Sequence, residues 1–175
     1  IGTFRETAQQ LLRQALNKFL ESRTPEQVEA EEMRQIELAQ EECLSKGVTS
    51  FHDAGVSFEA IDLYKKLATE GKLKIRLYVM IREGNERLKE RLSQYRIIGF
   101  GENHLTVRSI KRAADGALGA HGAWLLEPYS DLPTSVGLNT SPLDELKETA
   151  RLALENDFQV CVHAIGDRGN RETLN

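Results

Sequence analysis

The sequence predicts an α/β fold built on parallel strands. Short apolar runs alternate with segments of helical periodicity, so that each of four predicted strands is separated from the next by a helix. This alternation requires crossover connections between parallel strands. An open doubly wound sheet and a closed barrel both satisfy the pattern. The barrel is favoured, because polar residues recur at the strand ends and no glycine-rich phosphate loop follows any strand.

Two helices are predicted before the first strand. Apolar residues recur at helical spacing through Phe4–Leu20. Thr24 is followed by Pro25 and, three positions on, by Gln27, which is the pattern of an N-cap with a capping box. A second helix therefore starts there, and we expect it to end at Gly47, since glycine suits a helix C-terminus.

The remaining elements alternate to the end of the chain. The predicted strands are Val48–Asp53, Leu73–Ile81, Leu105–Lys111 and Phe158–His163, and the helices between them run from the Ser57 cap to Gly71, from Asn85 to Tyr95 and from Leu143 to Glu155. A long segment rich in Gly, Pro, Ser and Asp, residues 113–141, separates the third strand from the last of these helices. An irregular segment of that length in a compact unit is usually functional.

Composition excludes several classes of function. The net charge is −4, and Lys and Arg are interleaved with Glu, so no basic surface for nucleic acid is predicted. No apolar run is long enough to cross a membrane, and the N-terminus is no signal peptide. Cys43 and Cys161 are expected to be reduced thiols of a cytoplasmic protein. The 175 residues suit one unit, and we expect it to be cut from a longer protein, because it starts on Ile1 and stops within a helix.

Two residues at strand ends are the main candidates for chemistry. His163 closes the last strand, with Cys161 on the same face by alternation; such a histidine either binds a ligand or caps a buried strand. Alternation likewise places Val107, Ser109 and Lys111 on one face of the third strand. A lysine that points into a barrel mouth is costly unless it is paired, has a lowered pKa or is modified. The alternative is a lysine that extends to solvent.

Three motifs connect these residues to a known family. Gly47–Gly55 reads GVTSFHDAG, the segment 110–131 contains Lys111, Asp115-Gly116 and Pro128-Tyr129-Ser130-Asp131, and His163–Asn170 reads HAIGDRGN. By these motifs the chain resembles the branch of the metal-dependent amidohydrolase superfamily (amidohydrolase family 3) that includes N-substituted formamide deformylase. The three motifs occur in the family's order and cover most of the chain.

The resemblance implies a (β/α)8 TIM barrel, of which this chain would hold about strands 2 to 5. It also implies one or two divalent metals, usually zinc, at the carboxyl ends of the strands. In the family a carboxylated lysine bridges the metals and a histidine ligates one of them, and Lys111 and His163 match these positions. The family's paired histidines of strand 1 would precede Ile1, and its strand 6 histidine and strand 8 aspartate would follow Asn175. Arg112 and Gly169 depart from the family's usual residues.

The activity implied by the resemblance is hydrolysis of carbon–nitrogen bonds other than peptide bonds, in a small amide-type substrate, by a metal-activated water. Asp53, Asp115, His121 and Asp167 are further candidates for contacts with the substrate or the metal ligands. A helix cap or turn is the favoured explanation of Asp53 and Asp167, an exposed loop position is that of His121, and a turn is an open alternative for Asp115. An unmodified Lys111 would remain an ammonium with Asp115 as its candidate partner. The alternative function is a non-catalytic scaffold or binding module. Because the first and last strands leave unpaired edges, self-association of the chain is expected.

Overall fold

The structure, a computed structural model, describes residues 10–175. The start of the predicted first helix, at Phe4 and Ala8, lies outside the described residues. The chain divides into two compact units, Ile1–Gly47 and Val48–Asn175. The prediction that the whole chain forms one unit stays a prediction. No helix within the described residues has the length and apolar character that crossing a bilayer requires.

The first unit contains two helices, α1 (Gln10–Glu21) and α2 (Pro25–Ser45). The predicted capping box of α2 is confirmed: the Thr24 hydroxyl accepts a hydrogen bond from the Gln27 N–H, and the Gln27 side chain accepts one from the Thr24 N–H. Gly47, just beyond the C-terminus of α2, has a φ of 73°. This left-handed conformation is the one in which glycine commonly ends a helix.

The second unit carries a five-stranded sheet and its helices. In chain order these are β1 (Ser50–Val56), α3 (Phe58–Thr69), β2 (Arg76–Ile81), α4 (Asn85–Arg91), β3 (Ile97–Gly99), α5 (Phe100–Asn103), β4 (Leu105–Ala113), α6 (Leu143–Glu155), β5 (Gln159–His163) and α7 (Asp167–Leu174). Single turns of 3-10 helix lie at Leu92–Gln94 and Leu118–Ala120. The bounds of α6 agree with the prediction, whereas β1 and β4 run two or three residues further than predicted.

The predicted parallel α/β architecture is confirmed. Strand β1 pairs with β2, β2 with β4 and β4 with β5, and all three pairings are parallel. The unpredicted β3 lies antiparallel to β4 and pairs through Ile97 and Val107. Strand β2 occupies one edge of β4. Along the opposite edge, β3 pairs with the first part of β4 and β5 pairs with its last part. Among the described strands, β1, β3 and β5 each pair with a single neighbour, so β1 forms one edge of the sheet and β3 and β5 form the other.

A bulge in β4 decides which side chains face which way. Val79 of β2 pairs with Val107, but the next residue, Met80, pairs with Ser109, so Arg108 is an extra residue in β4. Paired residues of parallel strands project to the same face, and neighbours along a strand project to opposite faces. Val107 therefore lies on the face opposite to Ser109 and Lys111. The predicted common face of Val107, Ser109 and Lys111 is wrong for Val107, because strict alternation fails at the bulge.

The core lies between one face of the sheet and helices α3, α4 and α6. The strand side chains on this helix-facing side are at most 7% exposed; they are Leu77, Val79, Ile81, Leu105, Val107 and Ile110. The helices contribute further buried side chains, of which Phe58, Ile61 and Leu88 are wholly buried. Burial of a large apolar side chain contributes about 1.5–3 kcal/mol, so this layer is the main source of stability of the second unit.

Charged residues of α3 and α4 form a cluster over the edge of this core. The guanidinium of Arg91 lies 4.8 Å from the centre of the Phe58 ring. Glu59 accepts hydrogen bonds from Arg87 at 2.5 Å and from Arg91 at 2.8 Å. Burial by itself would raise the pKa of Glu59, but the hydrogen bonds from Arg87, from the backbone and from Arg91 outweigh it and lower the pKa to about 2.

We expect Glu59→Gln to lower the free energy of unfolding at neutral pH by at most about 1 kcal/mol, because the cluster is solvent-screened. The pKa of Glu59 is lower in the folded state than its ordinary value of 4.5, so the stabilisation is complete above pH 4.5 and is lost as the pH falls towards 2. Urea denaturation from pH 7 to pH 2.5 measures this. Glu90→Gln, an exposed substitution on α4, is the control. An equal effect of both substitutions, or a pH-independent effect of the first, would contradict the assignment.

Candidate functional site

The face of the sheet opposite the helices is lined by polar side chains. His52 of β1 stacks on Tyr78 of β2, with ring centres 5.0 Å apart, and the Tyr78 hydroxyl donates to Gln159 of β5 at 3.2 Å. Further along the strands this face carries Ser109 and Lys111, followed by His163. Branched apolar side chains usually fill the inward face of a parallel barrel. The polar lining of this face therefore indicates a surface for binding or chemistry.

Lys111 lies on this face near the carboxyl end of the central strand β4. Its partner in the register is Cys161 of β5, so the two side chains project to the same side. Lys111 is half-buried, and its ammonium makes no hydrogen bond or ion pair with any described residue. The candidate pair with Asp115 is not formed. The side chain lines the cleft described below, so Lys111 is accessible to a small molecule.

His163 ends β5 on the same face as Lys111. It lies opposite Ala113 in the register, two positions beyond the rung of Lys111. From strand spacing and rise, the Cα atoms of the two residues are about 8 Å apart. Our prediction that their side-chain tips lie within about 10 Å rests on this register. The imidazole makes no hydrogen bond within the described residues, and its Nε2 lies 3.9 Å from Oδ1 of Asp115.

Asp115 is the most deeply buried ionisable side chain of the site, and its carboxyl group is 0% exposed. Three backbone N–H groups donate to it. Ile165 donates to Oδ1 at 2.9 Å, while Gly166 and Trp124 donate to Oδ2 at 2.7 Å and 2.9 Å. Backbone donors of this kind offset the cost of burying a carboxylate. Asp115 thus joins the long loop to the turn that follows His163.

The long loop after β4 is held against the start of α7. Asp167 accepts a hydrogen bond from the Leu126 N–H at 2.9 Å, and the guanidinium of Arg168 lies 5.4 Å from the centre of the Trp124 ring. The Gly169 N–H donates to the Trp124 carbonyl at 3.1 Å. Asp167 is therefore a tether of the loop, and the structure does not bring it together with Lys111 and His163.

Two other candidates also lie away from Lys111 and His163. Asp53 projects to the helix-facing side, where the Tyr64 hydroxyl of α3 donates to it at 2.7 Å. Its strand does not end there, as the sequence suggested, but continues through a bulge to Val56. His121 lies 3.0 Å from Asp131 in the loop and packs edge-on against Tyr129. The hydrogen bond from His121 is the main cause of the lowered pKa of Asp131.

Arg112 leaves β4 on the helix-facing side and joins three elements. Its Nε donates to the Thr149 hydroxyl of α6 at 2.8 Å, its Nη2 donates to the Asn85 side chain of α4 at 2.8 Å, and its Nη1 donates to the Lys111 carbonyl at 3.2 Å. Burial lowers the pKa of the Arg112 guanidinium. The sequence showed Arg112 only as a departure from the family pattern, because its partners lie 27 and 37 positions away. It fixes the backbone on which Lys111 stands.

A cleft of about 700 Å³ opens at this end of the sheet. Its walls are the turn after β2, the first turns of α4, the end of β4, residues 140–141 and the first turns of α6, and His163 is not part of them. Arg82, Lys111 and Arg112 contribute cations to the lining, and Asp144 and Glu145 contribute carboxylates. A cleft with charges of both signs suits a polar small molecule better than an apolar one.

The donors on the open face fit part of a divalent metal site. Imidazole nitrogen is a good zinc ligand, and lysine becomes an oxygen ligand once it is carboxylated. Among residues 10–175, no three His, Cys, Asp or Glu side chains are grouped closely enough to hold a metal ion. Ser109, which precedes Lys111 on the same face, has a buried hydroxyl with no hydrogen-bond partner among the described residues. The sequence predicts that Ser109 shares the face of Lys111, but no local pattern shows that its hydroxyl is buried.

We expect Gly166→Ala to destabilise the site. A Cβ at this position would lie 1.8 Å from the Trp124 carbonyl oxygen, so the loop would have to move away from the turn after β5. Overpacking of this kind costs about 1–3 kcal/mol, and we expect that loss in chemical denaturation, with faster proteolysis within residues 116–141. Gly119→Ala is the control, since its added Cβ would meet nothing within 4 Å. Equal behaviour of the two variants would show that the loop is not docked as described.

Comparison with known proteins relates this geometry to a family. YtcJ of Bacillus subtilis (strain 168), assigned provisionally as an amidohydrolase, is 32% identical over 143 residues, which cover 77% of this chain and 25% of YtcJ. Protein LONG AFTER FAR-RED 3 of Arabidopsis thaliana is 28% identical over 139 residues, which cover 73% of this chain and 23% of that protein. The chain thus spans about a quarter of the length of these curated relatives.

Two solved structures share the fold. An uncharacterized metal-dependent hydrolase from Pyrococcus horikoshii OT3 superposes with a TM-score of 0.78 at 30% identity, over 97% of this chain and 33% of that one. An uncharacterized metal-dependent hydrolase from Pyrococcus furiosus superposes with a TM-score of 0.75 at 32% identity, over 97% of this chain and 34% of that one. This coverage of a third of each neighbour is consistent with a partial barrel. All 175 residues match one family model, and the chain belongs to the family that it describes, the amidohydrolase family.

Proposed function

We propose that this chain supplies Lys111 and His163 to the metal centre of a hydrolase that acts on carbon–nitrogen bonds other than peptide bonds. The observation that carries the proposal is their placement on one open face of adjacent parallel strands, at the carboxyl ends where α/β enzymes bind ligands. Within the described residues, the ammonium of Lys111 has no hydrogen bond or ion pair and the imidazole of His163 has no hydrogen bond. Both are therefore free to receive a ligand.

Each residue has a distinct part in this proposal. The neutral amine of Lys111 adds to the carbon of CO2 and loses a proton, which converts it into a carbamate with two ligating oxygens. His163 supplies an imidazole nitrogen. Together the two residues would help to hold a divalent ion, which we propose to be zinc, and when bound it would supply a water acidic enough to act as a nucleophile near neutral pH. The cleft beside Lys111 would hold the amide-type substrate, and Arg112 would keep the end of β4 in place.

We propose the branch that includes N-substituted formamide deformylase, since the three sequence motifs match it. Formamides and other N-acyl amines are then the first substrates to test.

We also propose a cytoplasmic protein with reduced thiols, in which Cys43 and Cys161 are unpaired. The unsatisfied edges of β1 and β5 are the surfaces through which the chain alone would associate.

Substitution of the two ligands tests the assignment in the full-length gene product. We expect Lys111→Arg, which keeps the charge but cannot form a carbamate, and His163→Asn to lose most bound zinc and at least 100-fold in turnover of formamides. His121→Asn is the matched control, because His121 is engaged by Asp131 in the loop. Metal analysis after dialysis gives the readout. A zinc content of His163→Asn equal to that of wild type would refute the assignment. Wild type that binds zinc but turns over no substrate would favour a scaffold.

The 175-residue chain by itself is expected to show no hydrolysis and no carbamate on Lys111. A catalytic zinc takes about three protein ligands, and the described residues offer two candidates. A carbamate forms reversibly and is held largely by the metals that it bridges. Metal content after dialysis and the native mass, searched for an added CO2, give the readout. Stoichiometric zinc, or turnover of any N-acyl substrate by the pure chain, would contradict this expectation.

A further inference from the structure

We propose that Asp115 is the positioning residue for His163: its buried carboxylate accepts the Nε2–H of the imidazole and leaves Nδ1 free for a metal. This inference rests on the proposed function of His163 as a ligand. It goes beyond that function because it assigns a task to a carboxylate that is not itself proposed as a metal ligand.

The first step of the argument is a count of acceptor sites. A carboxylate offers about four lone-pair positions, two on each oxygen. Oδ2 of Asp115 receives two donors, the N–H groups of Gly166 and Trp124. Oδ1 receives one, the N–H of Ile165. The acceptor position that is left over is therefore on Oδ1, which is the oxygen 3.9 Å from Nε2 of His163.

The second step concerns how firmly the two groups are placed. Two of the three donors to Asp115, Ile165 and Gly166, lie in the turn directly after His163, so the carboxylate holds the backbone on which the histidine stands. The Ala114 N–H donates to the His163 carbonyl at 2.8 Å and so holds the end of β5 against the residue that follows β4. A shift of about 1 Å within this frame converts the 3.9 Å approach into a hydrogen bond of ordinary length.

The chemical consequence follows from the two nitrogens of imidazole. A neutral ring has one N–H donor and one lone pair, and the partner of one nitrogen decides which tautomer is present. A carboxylate at Nε2 selects the tautomer with the proton there, so the lone pair on Nδ1 is left available for a metal. Carboxylates that orient a metal-binding histidine in this way commonly change metal affinity about 10- to 100-fold when they are removed.

The test is zinc affinity, measured by chelator competition in the full-length gene product. We expect Asp115→Asn to weaken zinc binding about 10- to 100-fold. The matched control is Asp167→Asn, which also removes a carboxylate tether of the same loop but faces no histidine; its zinc affinity should equal that of wild type. Equal weakening in both variants would mean that Asp115 acts only by docking the loop, and would overturn the inference.

His163→Asn separates this inference from the proposed function. If it leaves zinc binding intact, the proposed function fails with the inference. If it abolishes zinc binding while Asp115→Asn does not weaken it, only the inference fails. A measurement on wild type covers the case in which Asp115→Asn does not fold: nitrogen-15 NMR of the metal-free protein, labelled at histidine. We expect His163 to carry its proton on Nε2, in slow exchange with water; a proton on Nδ1, or rapid exchange at Nε2, would overturn the inference.

Discussion

The bulge at Arg108 is the constraint on which the arrangement of the site depends. Side chains alternate with a period of two, so one extra residue exchanges the faces of everything that follows. Val107 before the bulge and Ile110 after it are both buried against the helices, although they are three positions apart. With strict alternation from Val107, Lys111 would be buried beneath the helices. The bulge lets the strand fill the core and still direct Lys111 to the open face.

The loop after β4 shows how a long irregular segment can be ordered. Backbone N–H groups outside helices and strands need acceptors, and here two aspartates supply several of them. Asp115 takes donors from Trp124, Ile165 and Gly166, and Asp167 takes one from Leu126. The loop is thereby joined to the end of β5 rather than left as an open flap. The hydrogen bonds to Asp115 therefore hold both the loop beside the site and the turn that follows β5.

The sequence predicted the elements whose signals are local. The start of α2 follows from the capping box at Thr24, and the span of α6 follows from its periodicity after Pro142. Strand β3 was missed because three residues show no period. The bulge leaves only a faint trace in the sequence, an apolar Ile110 next to Ser109 where alternation expects the reverse. The sequence therefore predicted the fold, the common face of Ser109 and Lys111 and that of Cys161 and His163, but not that Val107 lies on the opposite face.

What the sequence could not supply was the set of contacts made between distant positions. Asp53 looked like a strand-end carboxylate, yet its strand continues and its side chain meets Tyr64 on the other face. Asp115 looked like a turn residue or a partner of Lys111, yet its donors come from residues up to 51 positions away. Pairing of that kind depends on how the loop folds back, which no local pattern encodes.

The two candidate ligands lie on strands with different numbers of paired neighbours, and this difference explains the role of Asp115. Lys111 lies on β4, which is paired along both edges and buried against helices on one face. His163 ends β5, which among the described strands pairs with β4 alone. The end of an edge strand has fewer hydrogen bonds to break and opens more readily than a central strand. The hydrogen bonds that the N–H groups of Ile165 and Gly166 donate to Asp115 add support at the point where the imidazole must be held still. The bond from the Ala114 N–H to the His163 carbonyl adds to this support.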